Sequence, residues 1–282
     1  MFENKKLINC SLLNFVACFI TGALFVFILS CFKSSRKLSL FSAAGAKPAI
    51  DELCKIYEEK SGIKIEINYG GGGEVLSKME IAKSGDIYIE PEQKFMKLAK
   101  DKGIIEPETI KNVCYMIPVI AVKKGNPKNI HSLSDLAKPG IRIAIPRPET
   151  TLLAKYDIEI FQKAGSLNNA IKKNIVTYVS RPDNITILVD TGHIDAGITW
   201  HFYQTISSNQ IENVFFTAEK LPGIGEMQIA VSKYSKNKSL AKQFVDFVTS
   251  SNGKAIFKKY GYIVNHSELR KYWRGYNEKL FR

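Results

Sequence analysis

Four consecutive glycines, Gly70–Gly73, stand where a chain can cradle an anion. Upstream, Ile63, Ile65 and Ile67 alternate with Lys64, Glu66 and Asn68, the period-two pattern of a half-buried strand. Downstream, Val75, Leu76, Met79 and Ile81 recur near helical spacing. A strand–glycine–helix passage leaves several backbone N–H groups unpaired at the positive end of the helix dipole. Residues without Cβ let a ligand approach that backbone closely. No Gly-Lys-Ser/Thr follows, so this is not a P-loop, and the glycines lack the spacing of the dinucleotide fingerprint. A flexible hairpin-type loop is the competing reading of the same residues.

The flanking pattern says how such a loop is positioned. Strands are predicted at Leu38–Ser42, Ile63–Ile67, Asp86–Ile89, Ile141–Ile145, Ile175–Val179, Asp195–Thr199, Val214–Thr217 and Met227–Val231. Helices are predicted at Ala46–Lys60, Glu74–Lys83, Glu92–Lys102, roughly 150–164, 183–191, Lys238–Ser250 and Gly253–Tyr260. Tyr115–Val122 is a longer apolar run containing Pro118. Alternation of this kind specifies α/β layers with mostly parallel sheets, which bind ligands at the carboxyl ends of their strands. Ser42–Gly45, Gly70–Gly73 and Glu90 fall at such ends and are expected to converge on one cleft.

The chain has 282 residues and a net charge of +13. Residues 38–282 carry 35 basic against 26 acidic residues, or +9. The lysines are scattered, and none is clustered with aromatics as a nucleic-acid platform requires. Lys5 and Lys6 followed by an uncharged apolar stretch from Leu12 to Phe32 read as an export signal. Ile28-Leu29-Ser30-Cys31 resembles a lipobox, which would leave Cys31 lipidated; an uncleaved membrane anchor is the alternative. Beyond the signal, Cys54 and Cys114 read as one disulfide or as two buried thiols. His193 and His201 form the only close histidine pair, at a spacing that fits no helical ligand geometry; they read as surface or cleft-edge residues.

Five segments carry a family resemblance. They are Phe41–Leu53, Gly71–Met79 with Gly85–Tyr88, Ile143–Ile145 through Pro148, Thr150 and Lys155-Tyr156, Gly192–Trp200, and Ser239–Phe247 with Gly253–Phe257. In that order they resemble the molybdate- and tungstate-binding proteins of ABC importers. The resemblance spans about residues 38–264. It implies a two-lobed α/β fold of the type II periplasmic-binding-protein kind with two hinge crossover strands, near 115–122 and 222–230. Residues 1–37 would be signal or anchor, 38–118 with 226–282 a discontinuous first lobe, and 119–225 the second. It also implies a monomeric receptor, not an enzyme, that holds a tetrahedral oxyanion without cofactor or metal and passes it to permease subunits.

Carried over residue by residue, the resemblance implies contacts from Ala44, Gly45, Gly72, Gly73, Thr151, Arg181 and Trp200, with Ser42 and Glu90 as further ligand or selectivity positions. Several depart from the family pattern. Gly45 and Gly73 replace hydroxyl donors, each of which contributes roughly 1.5–3 kcal/mol to a charged acceptor. Trp200 replaces a tyrosine, and Arg181 stands ready to supply positive charge. Glu90 is repulsive to an oxyanion unless it ligates the metal centre, and otherwise favours a cation or an amine-bearing ligand. The C-terminal tail from Gly261 is expected to dock as a helix on the first lobe.

Overall fold

The computed structural model describes residues 37–148, 151–207 and 210–273. The export signal, Cys31, Thr150 and the end of the tail lie outside the described residues. In chain order the elements are β1 (Lys37–Ala43), α1 (Lys47–Ser61), β2 (Lys64–Gly70), α2 (Gly72–Ala82), β3 (Ile87–Glu90), α3 (Gln93–Asp101), β4 (Lys111–Met116) and β5 (Pro118–Lys123). Next come β6 (Ile143–Pro146), α4 (Leu152–Gln162), α5 (Asn168–Lys173), β7 (Ile175–Val179), α6 (Asp183–Asp190), β8 (Ala196–Trp200), α7 (Tyr203–Ile206) and β9 (Ile211–Phe215). The chain then forms β10 (Gly225–Val231), α8 (Lys238–Thr249), α9 (Ser251–Lys259) and α10 (His266–Tyr272). Lys37 already belongs to β1, one residue inside the segment expected to be signal.

Two five-stranded sheets result, ordered β2-β1-β3-β10-β4 and β7-β6-β8-β5-β9. In each, the strand that arrives from the other sheet runs against its neighbours: β10 is antiparallel to β3 and β4, and β5 to β8 and β9. The sheets are therefore mixed, although the remaining strands run in one direction. β1 is central, with Leu38 and Leu40 fully buried, whereas the edge strand β2 alternates, burying Ile65 between exposed Lys64 and Glu66.

The apolar run at 115–122 is two strands, and Ile117 between them carries the chain from one sheet to the other. Pro118 opens β5, where a residue without an N–H is tolerated. His201 holds this crossing from both sides. Its Nδ1 accepts from the Ile117 N–H at 3.1 Å, and its own N–H donates to the Ile117 carbonyl at 2.9 Å. Burial lowers its pKa to about 4, so the ring is neutral and can accept. The expectation of a surface or cleft-edge residue is corrected: His201 is a buried clamp on the hinge.

β9 begins three residues before the predicted strand because β5 extends far enough to pair Lys123 with Ile211. Polar Glu212 and Asn213 obscure that in the sequence; Glu212 accepts from the Gly125 N–H, while the Asn213 backbone N–H and side-chain amide donate to Gln204 and the His201 carbonyl, leaving the Asn213 Oδ1 without a partner among the described residues. The tail also departs from expectation by bridging both sheets. His266 contacts the Tyr115 hydroxyl of β4 at 3.1 Å, while Tyr272 stacks on Phe215 of β9 at 4.7 Å. Cys54 and Cys114 are buried free thiols.

Gly197 in β8 shows why the Gly192–Trp200 motif is spelled as it is. A Cβ there would lie 2.5 Å from Ile185 and 2.8 Å from the Ala144 carbonyl, so α6 could not pack on the sheet. Asp195 in the same motif accepts from the Arg142 backbone N–H and guanidinium at 2.9 Å each.

Asp157 on α4 is fully buried, and neither carboxylate oxygen has a hydrogen-bond partner among the described residues. Burial pushes its pKa well up, so the native state holds this proton more tightly than the unfolded chain does. Its contribution is complete below the ordinary aspartate pKa and is lost as pH rises toward the raised native value. Asp157→Asn is expected to stabilise the protein at pH 8 by about 1–3 kcal/mol, with the difference shrinking toward pH 4. Thermal melts across that range check it.

Candidate ligand cleft between the lobes

Strand ends from both sheets face each other across a cavity of about 360 Å³. The first sheet contributes the turn after β1 (Ala43–Ala46), the glycines after β2 and the Glu90–Glu92 segment after β3. The second contributes Thr151, Arg181–Asp183 and Trp200 with Phe202 and Tyr203. Met116 and Met227 from the strands flanking the hinge form apolar wall. Of the predicted contacts, Ala44, Gly45, Gly72, Glu90, Thr151, Arg181 and Trp200 line this cleft.

Two expected residues are not on its lining. Ser42 is buried in β1, where its hydroxyl donates to the Ala43 carbonyl at 3.2 Å. Strand alternation points it away from the cleft even though its neighbour Ala43 reaches it. Gly73 is turned onto α3, and a Cβ there would lie 3.1 Å from the Phe95 ring. A serine at 73 would therefore have to displace an aromatic ring.

The glycine run works as a helix start. Gly71 is extended and caps α2, with the Val75 N–H donating to its carbonyl at 2.9 Å. The Gly71 N–H donates to the Glu74 carboxylate at 3.2 Å, and Lys78 pairs with that carboxylate at 2.6 Å. Gly72 has no room for a side chain: a Cβ would lie 2.5 and 2.6 Å from the two carboxyl oxygens of Glu90. The Glu90 carboxyl thus lies directly over the first turn of α2.

Glu90 is 1% exposed. Its Oε2 accepts from the Tyr88 hydroxyl at 3.1 Å, and its Oε1 from the Glu92 N–H at 3.0 Å. Burial pushes its pKa up to about 8, with Glu92 adding to the rise while the two hydrogen bonds and Lys94 oppose it. At neutral pH it is mostly a neutral acid, able to donate. This softens the repulsion that the sequence implies.

Glu92, which the sequence reading passed over, reaches across the cleft. Its Oε1 accepts from the Leu152 N–H at 3.0 Å, the first residue of α4 in the other sheet, and Lys94 pairs with its Oε2 at 2.9 Å. An acidic residue on each side of Pro91 at the end of a strand was the available signal. Thr151 caps the same helix, its Oγ1 accepting from the Ala154 N–H at 3.2 Å. Arg181 donates in a two-pronged pair to Asp183, with Nε to Oδ1 at 3.0 Å. Asp183 therefore shares the arginine's charge. Trp200 is 7% exposed at the end of β8 and meets Tyr156 edge-on at 6.3 Å. The Tyr156 hydroxyl donates to the Ile224 carbonyl on the second crossing at 2.9 Å.

Two α/β lobes that share a cleft and are joined by crossing strands define a solute-binding protein. Residues 38–263 match the family described as bacterial extracellular solute-binding protein, and the chain belongs to that family. The chain is 28% identical over 227 residues to YvgL of Bacillus subtilis, provisionally named an ABC transporter substrate-binding lipoprotein, covering 80% of this chain and 85% of that one. A Clostridium difficile substrate-binding domain, provisionally assigned to a molybdenum ABC transporter, superposes with a TM-score of 0.71 at 24% identity, over 82% of this chain and all of that one. PEB3 of Campylobacter jejuni with bound L-phospholactate superposes at 0.65 and 24% identity, over 81% of this chain and all of that one.

Because the pKa of Glu90 is raised from 4.5 to about 8, its stabilising contribution is complete below the lower value and is lost as pH climbs through the higher. Glu90→Gln is expected to flatten the loss of thermal stability between pH 5 and 8. An unchanged pH slope in the variant would mean that Glu90 is ionised in the folded protein.

Proposed function

We propose that this protein is the receptor of an ABC importer for a solute bearing an oxyanion group, tethered at the outer face of the membrane and handing its solute to permease subunits. The observation that carries this reading is the Glu92 carboxylate on the Leu152 N–H. A carboxylate is itself an oxyanion, and it marks the start of α4 as a donor that accepts one. The starts of α2 and α6, with Arg181, open on the same cavity, and backbone donors of this kind need no reorganisation on binding. The same reading takes residues 38–118 with 226–282 as the first lobe, 119–225 as the second, and the two crossings as the hinge.

Molybdate or tungstate is the solute that the motif set supports, with the first-lobe serine hydroxyls replaced by backbone N–H groups and by the neutral acid of Glu90. An organic oxyanion is the second reading, and a specific observation favours it. The lobes already touch through Glu92 and Leu152, yet a cavity of about 360 Å³ remains between them, with Met116, Met227 and Trp200 on the walls. That is a small-molecule volume with apolar surface for a carbon body. A cation has less support: among the described residues no group of three or more His, Cys, Asp and Glu is placed to hold a metal ion.

Thermal shift and calorimetry of the full chain with molybdate, tungstate, sulfate, phosphate, a three-carbon phosphate ester and ferric citrate test the reading. One oxyanion-bearing solute per chain is expected to raise Tm; a response to the ferric chelate alone would overturn it. Arg181→Ala is expected to weaken binding by about 1.5–3 kcal/mol. Asp183→Ala, by releasing the arginine, is expected to tighten it severalfold. Gly45→Ser is sterically open, since a Cβ would lie 3.6 Å from the Tyr203 hydroxyl, and is expected to hold or improve affinity.

A further inference from the structure

Glu92 belongs to the first sheet's side of the cleft, yet its carboxylate is spent on a backbone donor of the second. Its position is set in advance. The Glu92 N–H is held by Glu90 at 3.0 Å, Pro91 stiffens the link, and Lys94 lies 2.9 Å from the second carboxylate oxygen. The Glu92 side chain is 14% exposed, so this is a sheltered bond rather than a surface ion pair. The Leu152 N–H is a first-turn donor with no partner in its own helix, the group that an incoming anion would seek.

We propose that Glu92 determines specificity by acting as an internal stand-in for the solute's anionic group, occupying the Leu152 N–H until a solute displaces it. This rests on the oxyanion reading of the cleft. Displacement does not strand the carboxylate, because Lys94 still pairs with it. A solute must therefore outcompete a carboxylate that is already in place and carries no translational entropy cost. Weakly held anions are excluded, and selection favours solutes that gain additional contacts on the Trp200 and Met227 walls. The same contact ties the lobes, so removing it should alter how they sit before any solute arrives.

The test compares wild type, Glu92→Ala and Glu92→Gln in the full chain, with molybdate and glycerol 3-phosphate as probes. Calorimetry is expected to show Glu92→Ala binding the responding probe about tenfold more tightly than wild type, the scale of one charge-assisted hydrogen bond. Glu92→Gln, which keeps an acceptor but not the charge, should fall between. Spin labels at Lys100→Cys and Lys173→Cys, one on each lobe, are expected to report a broader distance distribution in Glu92→Ala before the probe is added. Weaker binding by Glu92→Ala would make Glu92 a solute contact, and unchanged binding would make it a structural tie; either overturns the inference while leaving the oxyanion reading in place. If neither wild type nor either variant binds any oxyanion, the oxyanion reading fails, and this inference with it.

Discussion

The N–H groups at helix starts govern this cleft. An α-helix begins with backbone donors that have no partner of their own, and they must find one in solvent, a side chain or a ligand. Here the helices that open on the cavity meet carboxyl groups of the chain itself. Glu74 takes the Gly71 N–H, Glu90 lies over Gly72, and Glu92 takes the Leu152 N–H. The absence of a side chain at Gly72, the burial of Glu90 and the approach of the lobes go with satisfying these donors in a confined space.

That arrangement makes an acid-bearing cleft compatible with the oxyanion solute proposed above. Each cleft carboxylate is matched locally: Glu74 by Lys78, Glu92 by Lys94 and Asp183 by Arg181, while Glu90 is kept neutral by burial. The cavity is close to balanced in charge despite the basic chain. Several lysines are held in exposed pairs, such as Lys259 on α9 with Glu52 and Lys111 on β4 with Asp246, which contribute little to stability. The cleft therefore offers a solute hydrogen-bond donors and shape rather than a strong local positive field.

The hinge is built from the same economy of polar groups. Ile117 passes between sheets with both backbone groups bonded to His201, so the crossing bends without exposing unpaired donors. Phe202 and Tyr203, next to this clamp, line the cleft, and Phe202 stacks on Tyr262 of the tail at 4.1 Å. The residues that line the cleft and the one that clamps the crossing are thus neighbours in the chain. The tail's grip on both Tyr115 and Phe215 adds a second link behind the hinge.

Local pattern was enough to read the α/β alternation and most of its elements, while the two-lobed arrangement came from the family resemblance. Ile175–Val179 was legible to the residue, because period-two burial and helical stripes are written in consecutive residues. The convergence of Ala44, Gly45 and Gly72 was also legible, since strand ends place them whatever the packing details, and Thr151, Arg181 and Trp200 joined them through the family resemblance. Tertiary structure decided the rest. Alternation in β1 and the turn of α2 removed Ser42 and Gly73 from the lining, and only the facing sheet reveals that His201 clamps Ile117. Glu92 was invisible because its partner lies 60 residues away on the other lobe. A hydrogen bond between distant segments leaves no periodic trace in either one; it exists only once packing brings a donor without a partner to an acid that can reach it.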